Sequence, residues 1–189
     1  MHPSQMSAAD TALLVIDVQE KLMAKIPGAD LLTRNIGMLI DAARLLGLPV
    51  LATEQYPKGL GPTVAALAAR LPDRPEKLDF SCCAVPSVVD TLRRQARPKV
   101  LLSGIEAHVC VAQTALELLD LGFRVQVPAD AVASRNTLDR DVALRRIEQA
   151  GAVISTTEAV LFEWLETADR PEFKTVSALV KARTPGEAS

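Results

Sequence analysis

Five short apolar runs, each followed by a stretch of helical spacing, constrain this chain more than any other feature. They are Thr11–Ile16, Val50–Thr53, Val100–Ser103, Phe123–Val127 and Ala152–Ser155. Continuous apolarity, as in Thr11–Ile16 and Val100–Leu102, marks a strand buried on both faces. The intervening segments read as helices. Leu31–Leu46 places Ile36, Leu39, Ile40, Ala43 and Leu46 on one stripe, and Gly47 and Pro49 stop it. Val64–Leu71, Ser87–Gln95, His108–Leu121, Asp139–Ala150, Thr157–Leu165 and Glu172–Ala182 follow, with Pro57–Pro62 as a loop and Leu78–Phe80 as a short extended piece. Strand and helix in alternation predict an α/β fold: three layers, with a doubly wound, mainly parallel sheet between helices.

Length sets the domain count. The chain of 189 residues is expected to be one domain over 11–182, with tails at 1–10 and 183–189. A hydrophobic share of 49% suits a packed core, and a net charge of −2 offers no attraction to nucleic acid or an anionic membrane. No apolar run reaches the roughly 20 residues that span a bilayer, and Met1–Asp10 lacks the pattern of a secretory signal. Three cysteines cannot all pair, and Cys82 and Cys83 are adjacent, so a reducing, cytoplasmic setting is expected.

Chemistry concentrates at strand ends, where ligands bind in open α/β sheets. Cys110 falls in the first turn of a helix just past the run Val100–Ser103. Unpaired N–H groups and the positive end of the helix dipole meet there. That setting lowers a thiol pKa and offers donors to an oxyanion. The alternative is a small buried apolar residue. Asp17 closes the first strand and is a candidate general base for a thiol, or an N-cap for the short helix that follows. Lys77, in Pro75-Glu76-Lys77-Leu78-Asp79-Phe80-Ser81, reads by itself as a surface lysine. Near the cysteine it would favour both thiolate and carboxylate.

Three segments in order carry a resemblance: Leu14-Val15-Ile16-Asp17-Val18-Gln19, Lys77-Leu78-Asp79-Phe80-Ser81, and Gly104-Ile105-Glu106-Ala107-His108-Val109-Cys110-Val111-Ala112-Gln113-Thr114-Ala115. The chain resembles the isochorismatase-like hydrolase family, the cysteine hydrolases related to nicotinamidases, over about Thr11 to Lys181. Thr53–Thr63 and Ser134-Arg135 bring it closest to the isochorismatase domain-containing branch. The resemblance implies a Rossmann-like fold and a triad of Asp17, Lys77 and Cys110. It further implies a non-proline cis peptide at Ile105–Glu106, with the Glu106 and Cys110 N–H groups forming an oxyanion hole. The implied reaction is hydrolysis of a small amide-type C–N bond through a Cys110 thioester.

Departures from relatives narrow this expectation. Nicotinamidases carry a metal-binding Asp-x-His…His segment after the second strand. Here that stretch is Thr53-Glu54-Gln55-Tyr56-Pro57, and the chain's histidines are His2 and His108. No catalytic metal and no cofactor are expected. True isochorismatases lack the nucleophilic cysteine, so Cys110 argues against isochorismate as substrate. Gln19, Glu54, Gln55, Tyr56, Phe80 and His108 are the candidate lining of a substrate pocket. Gln19 could instead orient Asp17 or begin a helix. Cys82 and Cys83 read as small apolar groups, and Arg135 and Asn136 as loop residues. An aromatic share of 3% points to a small-molecule substrate. Relatives imply a homo-oligomer, a dimer, tetramer or larger ring. A non-catalytic binding module and a redox role for Cys110 remain open at this point.

Overall fold

In chain order the computed structural model shows β1 (Thr11–Ile16), α1 (Glu20–Met23), α2 (Ala29–Leu45), β2 (Val50–Gln55), α3 (Pro57–Leu60), α4 (Ala65–Ala68) and β3 (Glu76–Lys77). Then come α5 (Pro86–Arg94), β4 (Lys99–Ile105), a π-helical turn (Ala107–Val111), α6 (Ala112–Asp120), β5 (Arg124–Pro128) and β6 (Val132–Ala133). The chain ends on α7 (Thr137–Gln149), β7 (Val153–Ser155), α8 (Thr157–Leu165) and α9 (Phe173–Lys181). The structure describes residues 2 and 4–182, so the tail expected at 183–189 lies outside the described residues.

The sheet runs β3-β2-β1-β4-β5-β7, with β6 pairing β4, and its paired strands are parallel. Alternation along buried strands divides the core in two. Leu13, Val15, Leu101 and Ile105 face α2, α8 and α9. Ala12, Leu14, Ile16, Val100 and Leu102 face α5, α6 and α7. This is the doubly wound α/β sandwich expected from the apolar runs. Helix α2 buries Ile36, Leu39, Ile40 and Ala43 as its spacing requires. It ends where Gly47, at φ 73°, lets Leu48 N–H reach back to Ala43 O at 2.8 Å.

Several segments depart from the sequence reading. Pro57–Pro62 was expected as a loop, yet it holds one helical turn, started by a proline at the first position. Val64–Leu71 shortens to α4, because from Arg70 onward the bonds tighten to i→i−3 before Pro72. Leu78–Phe80 is not extended: the strand is Glu76–Lys77, and the next residues curl outward. Residues 5–10 are no free tail, since Met6 and Ala8 are buried and Met6 N–H donates to Glu163 at 2.8 Å. No described helix is long and apolar enough to cross a membrane.

Candidate active site

Parallel register brings the carboxyl ends of β1, β2 and β4 together. Ile16 pairs with Thr53 on one side and Gly104 on the other. Gly104 makes the second pairing possible. Its φ is 115°, and a Cβ there would sit 2.1 Å from Ile16 O. The next residue of β1, Asp17, turns off the strand at φ 51° and is fully buried. Its N–H bonds Thr53 O at 3.2 Å, and its carbonyl accepts Gln19 N–H at 2.8 Å. Asp17 is therefore a strand terminus in the left-handed region, and the residue preceding α1 is Gln19.

Beyond Gly104, the Ile105–Glu106 peptide is cis. The chain then enters the π turn, in which Val111 N–H reaches Glu106 O at 3.2 Å. Cys110 lies within this turn, facing the core between sheet and α6. Lys77 arrives from β3, which is held in register by Gln55 opposite it.

The three expected residues thus meet under one rim. Lys77 Nζ lies 2.7 Å from Asp17 Oδ2, 2.6 Å from Gln55 Oε1, 3.0 Å from Phe80 O and 3.3 Å from Asp79 O. Four oxygens around three protons explain the outward curl of Leu78–Phe80: the chain wraps its own carbonyls around the ammonium. Thr53 Oγ1 donates to Asp17 Oδ1 at 2.8 Å, and the Cys110 thiol lies within interaction range of the same carboxylate. Side chains of Asp17 and Lys77 are 0% and 1% exposed, so the ion pair is dry.

Electrostatics correct one expectation. The Cys110 thiol is pushed well above its ordinary value, not lowered. Burial is the largest cause, the Asp17 charge adds to it, and Lys77 opposes both. Cys82 is pushed up to about 11 for the same reasons. Lys77 is raised: burial, the largest single cause, acts to lower it, but the charges of Asp17, Cys82 and Cys110 and the hydrogen bond to Asp17 together outweigh burial. The resting centre is therefore a thiol beside a carboxylate–ammonium pair.

The candidate pocket residues separate into two groups. Gln19 is fully buried and spends its amide on Gln55 N–H at 2.7 Å, Gln55 O at 3.0 Å and Gly61 O at 2.7 Å. It neither orients Asp17 nor lines a pocket; it fastens the α3 turn to β2. Glu54 is likewise committed, accepting from Thr63 N–H and Oγ1 at 2.7 Å and from Arg74 Nε at 3.0 Å. Gln55 faces Lys77 and also donates to Leu78 O at 2.7 Å. Tyr56 and Phe80 are each 51% exposed, and His108, partly buried, holds Ser134 Oγ at 2.9 Å. Thr53 and Cys82 escaped the sequence reading, although Thr53 Oγ1 also lies 3.4 Å from Cys82 Sγ. The pairing of two apolar runs that end together would have found Thr53, because it puts that residue beside Ile16. Among the described residues no three His, Cys, Asp or Glu side chains cluster as metal ligands.

Comparison with known proteins places the chain. The family model described as Isochorismatase domain matches residues 11–159. Isochorismatase domain-containing protein 2 of Danio rerio is 40% identical, over 96% of this chain and 92% of that protein. A Caenorhabditis elegans structure described as MAR1 ribonuclease superposes with a TM-score of 0.90 at 42% identity, covering 97% of this chain and 96% of that one. Two YcaC proteins are 25% identical. That of Pseudomonas aeruginosa, solved with hexane-2,5-diol and covalent acrylamide, has a TM-score of 0.90 and coverage of 98% and 94%. That of Escherichia coli, described as an octameric hydrolase of unknown specificity, has a TM-score of 0.82 and coverage of 97% and 100%. The chain belongs to the isochorismatase family, and with that membership goes a hydrolase-type function.

Proposed function

We propose that this protein is a metal-independent cysteine hydrolase that cleaves a small amide-type C–N bond, with Asp17, Lys77 and Cys110 as its triad. One observation carries the reading: a dry Asp17–Lys77 pair whose carboxylate lies within interaction range of the Cys110 thiol. A carboxylate so placed takes the thiol proton as sulfur attacks the carbonyl carbon. The proton leaves during attack and not before, because the buried thiol holds it tightly. Lys77 stays a cation throughout. It balances Asp17 at rest and, once Asp17 is protonated, the charge that passes through sulfur to the carbonyl oxygen, so the net charge of the site is unchanged.

The carbonyl oxygen takes up the displaced electron pair beside the N–H groups of Glu106 and Cys110. As the tetrahedral centre collapses, the C–N bond breaks and Asp17 returns its proton to the leaving nitrogen. Water then attacks the thioester, Asp17 takes the water proton, and the sulfur leaves and is reprotonated. Covalent acrylamide in the Pseudomonas aeruginosa relative supports a reactive nucleophile in this fold, because acrylamide forms adducts by addition of a nucleophile to its alkene carbon.

The octameric Escherichia coli relative supports assembly of this chain as a homo-oligomer. Three free cysteines suit the cytoplasm. A second reading, RNA cleavage, comes from the name of the Caenorhabditis elegans relative. A net charge of −2 and a lysine already surrounded by four oxygens favour the amide reading, with no nucleic-acid partner. The test is ammonia release from a panel of small primary amides, with hydroxylamine added to trap the acyl group as a hydroxamate. Wild type is expected to turn over at least one amide and yield the hydroxamate, and Cys110→Ser to do neither. Full turnover by Cys110→Ser rules out the thioester. RNA cleavage without amide turnover installs the second reading.

A further inference from the structure

Cys82 is a second thiol at the centre, and the hydrolysis proposed above does not use it. It opens a short 3-10 turn, Cys82–Ala84, just beyond the carbonyls that wrap Lys77. Two threonines hold it. Its backbone N–H donates to Thr114 Oγ1 at 2.9 Å, and its Sγ lies 3.4 Å from Thr53 Oγ1, the hydroxyl that donates to Asp17. Thr114 stands four residues after Cys110, about one helical turn along the same face. Cys82 and Cys110 thus share one core cluster between the sheet and α6. Each sulfur is within interaction range of the other and of Asp17 and Lys77.

Their exposure differs in a way that sets an order. Cys82 is 0% exposed and Cys110 is 6% exposed. A small oxidant entering from the rim meets Cys110 first, with Cys82 behind it. Cys83 is adjacent in sequence but faces other neighbours. It is half-buried, its N–H donates to Ser81 Oγ at 3.2 Å, and the charge beside its thiol is Glu117. Of the two neighbours in sequence, Cys82 is therefore the one that stands with the nucleophile.

We propose that Cys110 and Cys82 form a reversible oxidation site for hydroperoxides, closing to an intramolecular disulfide that silences the nucleophile. The inference rests on the Cys110 nucleophile proposed above and assigns its regulation. In the first step the Cys110 sulfur attacks an oxygen of hydrogen peroxide while Asp17 takes the thiol proton. The O–O bond breaks, the departing oxygen collects that proton as water, and Cys110 becomes a sulfenic acid. In the second step the Cys82 sulfur attacks the Cys110 sulfur. The S–O bond breaks, and hydroxide leaves with the Cys82 proton as a second water. Two thiols lose two electrons, and the peroxide gains them. A dithiol reductant reverses the change by thiol–disulfide exchange. Closing the disulfide also spares Cys110 the irreversible sulfinic stage.

The test separates the disulfide from the nucleophile. Reduced wild type, Cys82→Ala and Cys83→Ala are treated with hydrogen peroxide and digested without reductant, and crosslinks are read by peptide mass spectrometry. Iodoacetamide labelling of Cys110 is measured before peroxide, after it, and after dithiothreitol, each variant against its own untreated rate. Wild type and Cys83→Ala are expected to join the peptides of Cys82 and Cys110, to lose Cys110 labelling, and to regain it with dithiothreitol. Cys82→Ala should form no crosslink, pass to sulfinic acid at Cys110, and lose the recovery. A Cys110 that iodoacetamide labels but that peroxide leaves uncrosslinked in wild type overturns the inference while the nucleophile stands. A crosslink that persists in Cys82→Ala assigns the partner to Cys83 and overturns it too. If neither reagent reacts with wild-type Cys110, the nucleophile fails and the switch falls with it. Should Cys82→Ala fail to fold, Cys83→Ala decides: a crosslink there supports the site, and its absence refutes it.

Discussion

Replacing Lys77 by methionine removes the cation and keeps much of the side chain's shape. What remains is a carboxylate, 0% exposed, whose partners shrink to the Thr53 hydroxyl and the Cys110 thiol. Breaking a buried pair from one side costs about 3–5 kcal/mol, because the surviving charge is left uncompensated. Burial this complete needs no discount for solvent screening. For a chain of this size that corresponds to a melting temperature lower by roughly 6–20 °C. Asp17→Asn should cost less, since the ammonium keeps Gln55 Oε1 and the carbonyls of Asp79 and Phe80.

Removing both charges tests the reasoning most directly. The double variant Asp17→Asn/Lys77→Met should be more stable than Lys77→Met alone, since no ion is stranded. Urea denaturation measures all three variants. A Lys77→Met loss under about 1 kcal/mol, or a double variant no more stable than Lys77→Met, refutes the claim that the pair is dry and mutually dependent.

Two other perturbations follow from the geometry. Gly104→Ala should lose about 3 kcal/mol or more, because the new methyl meets the Ile16 backbone at 2.1 Å and the residue sits at φ 115°; urea unfolding and Cys110 alkylation should fall together, and a variant with unchanged alkylation would show that the β1–β4 approach does not position the site. Alkaline stability should depend on Cys82, whose thiol rises from 9.0 to about 11 on folding. A raised pKa lends stability that is whole below pH 9 and lost as pH climbs toward 11, so Cys82→Ala should flatten the decline by about 2–3 kcal/mol across that window; an unchanged slope in calorimetry at pH 8 and 11 would assign the decline elsewhere.

Strands and their faces were readable because burial on two sides leaves no polar position to blur the pattern. Four of the five runs are the inner strands β2, β1, β4 and β5, the fifth is the edge strand β7, and their helical separators gave the layers. Short elements escaped for a physical reason. Strand β6 is two residues long and α1 and α3 one turn each, too few for any period to register. Lys77 shows the same limit at the site. Nothing local marks it, because its environment is made by Asp17, Gln55 and the carbonyls that fold back around it. The family resemblance singled it out where pattern alone read a surface lysine. Gln19 and Glu54 misled for the converse reason. Polar residues after a strand suggest a pocket, yet here they satisfy the backbone and side-chain donors of a folded-back loop.

The thiol is the instructive error. A cysteine in the first turn of a helix was expected to ionise easily, since N–H groups and the dipole favour an anion there. That argument counts the backbone and leaves out what the rim delivers. Gly104 draws β1 against β4, and this sets a carboxylate on the sulfur. A second anion beside the first is unfavourable in a buried space with one ammonium, so the proton stays on sulfur at rest. On the proposed mechanism the same arrangement makes proton transfer cheap at the moment of attack, because charge passes from the carboxylate through sulfur to the carbonyl oxygen beside a fixed lysine. A resting thiol and a competent nucleophile are thus compatible. On the proposed mechanism, the N–H groups that fail to ionise the free cysteine would receive the oxyanion that its attack creates.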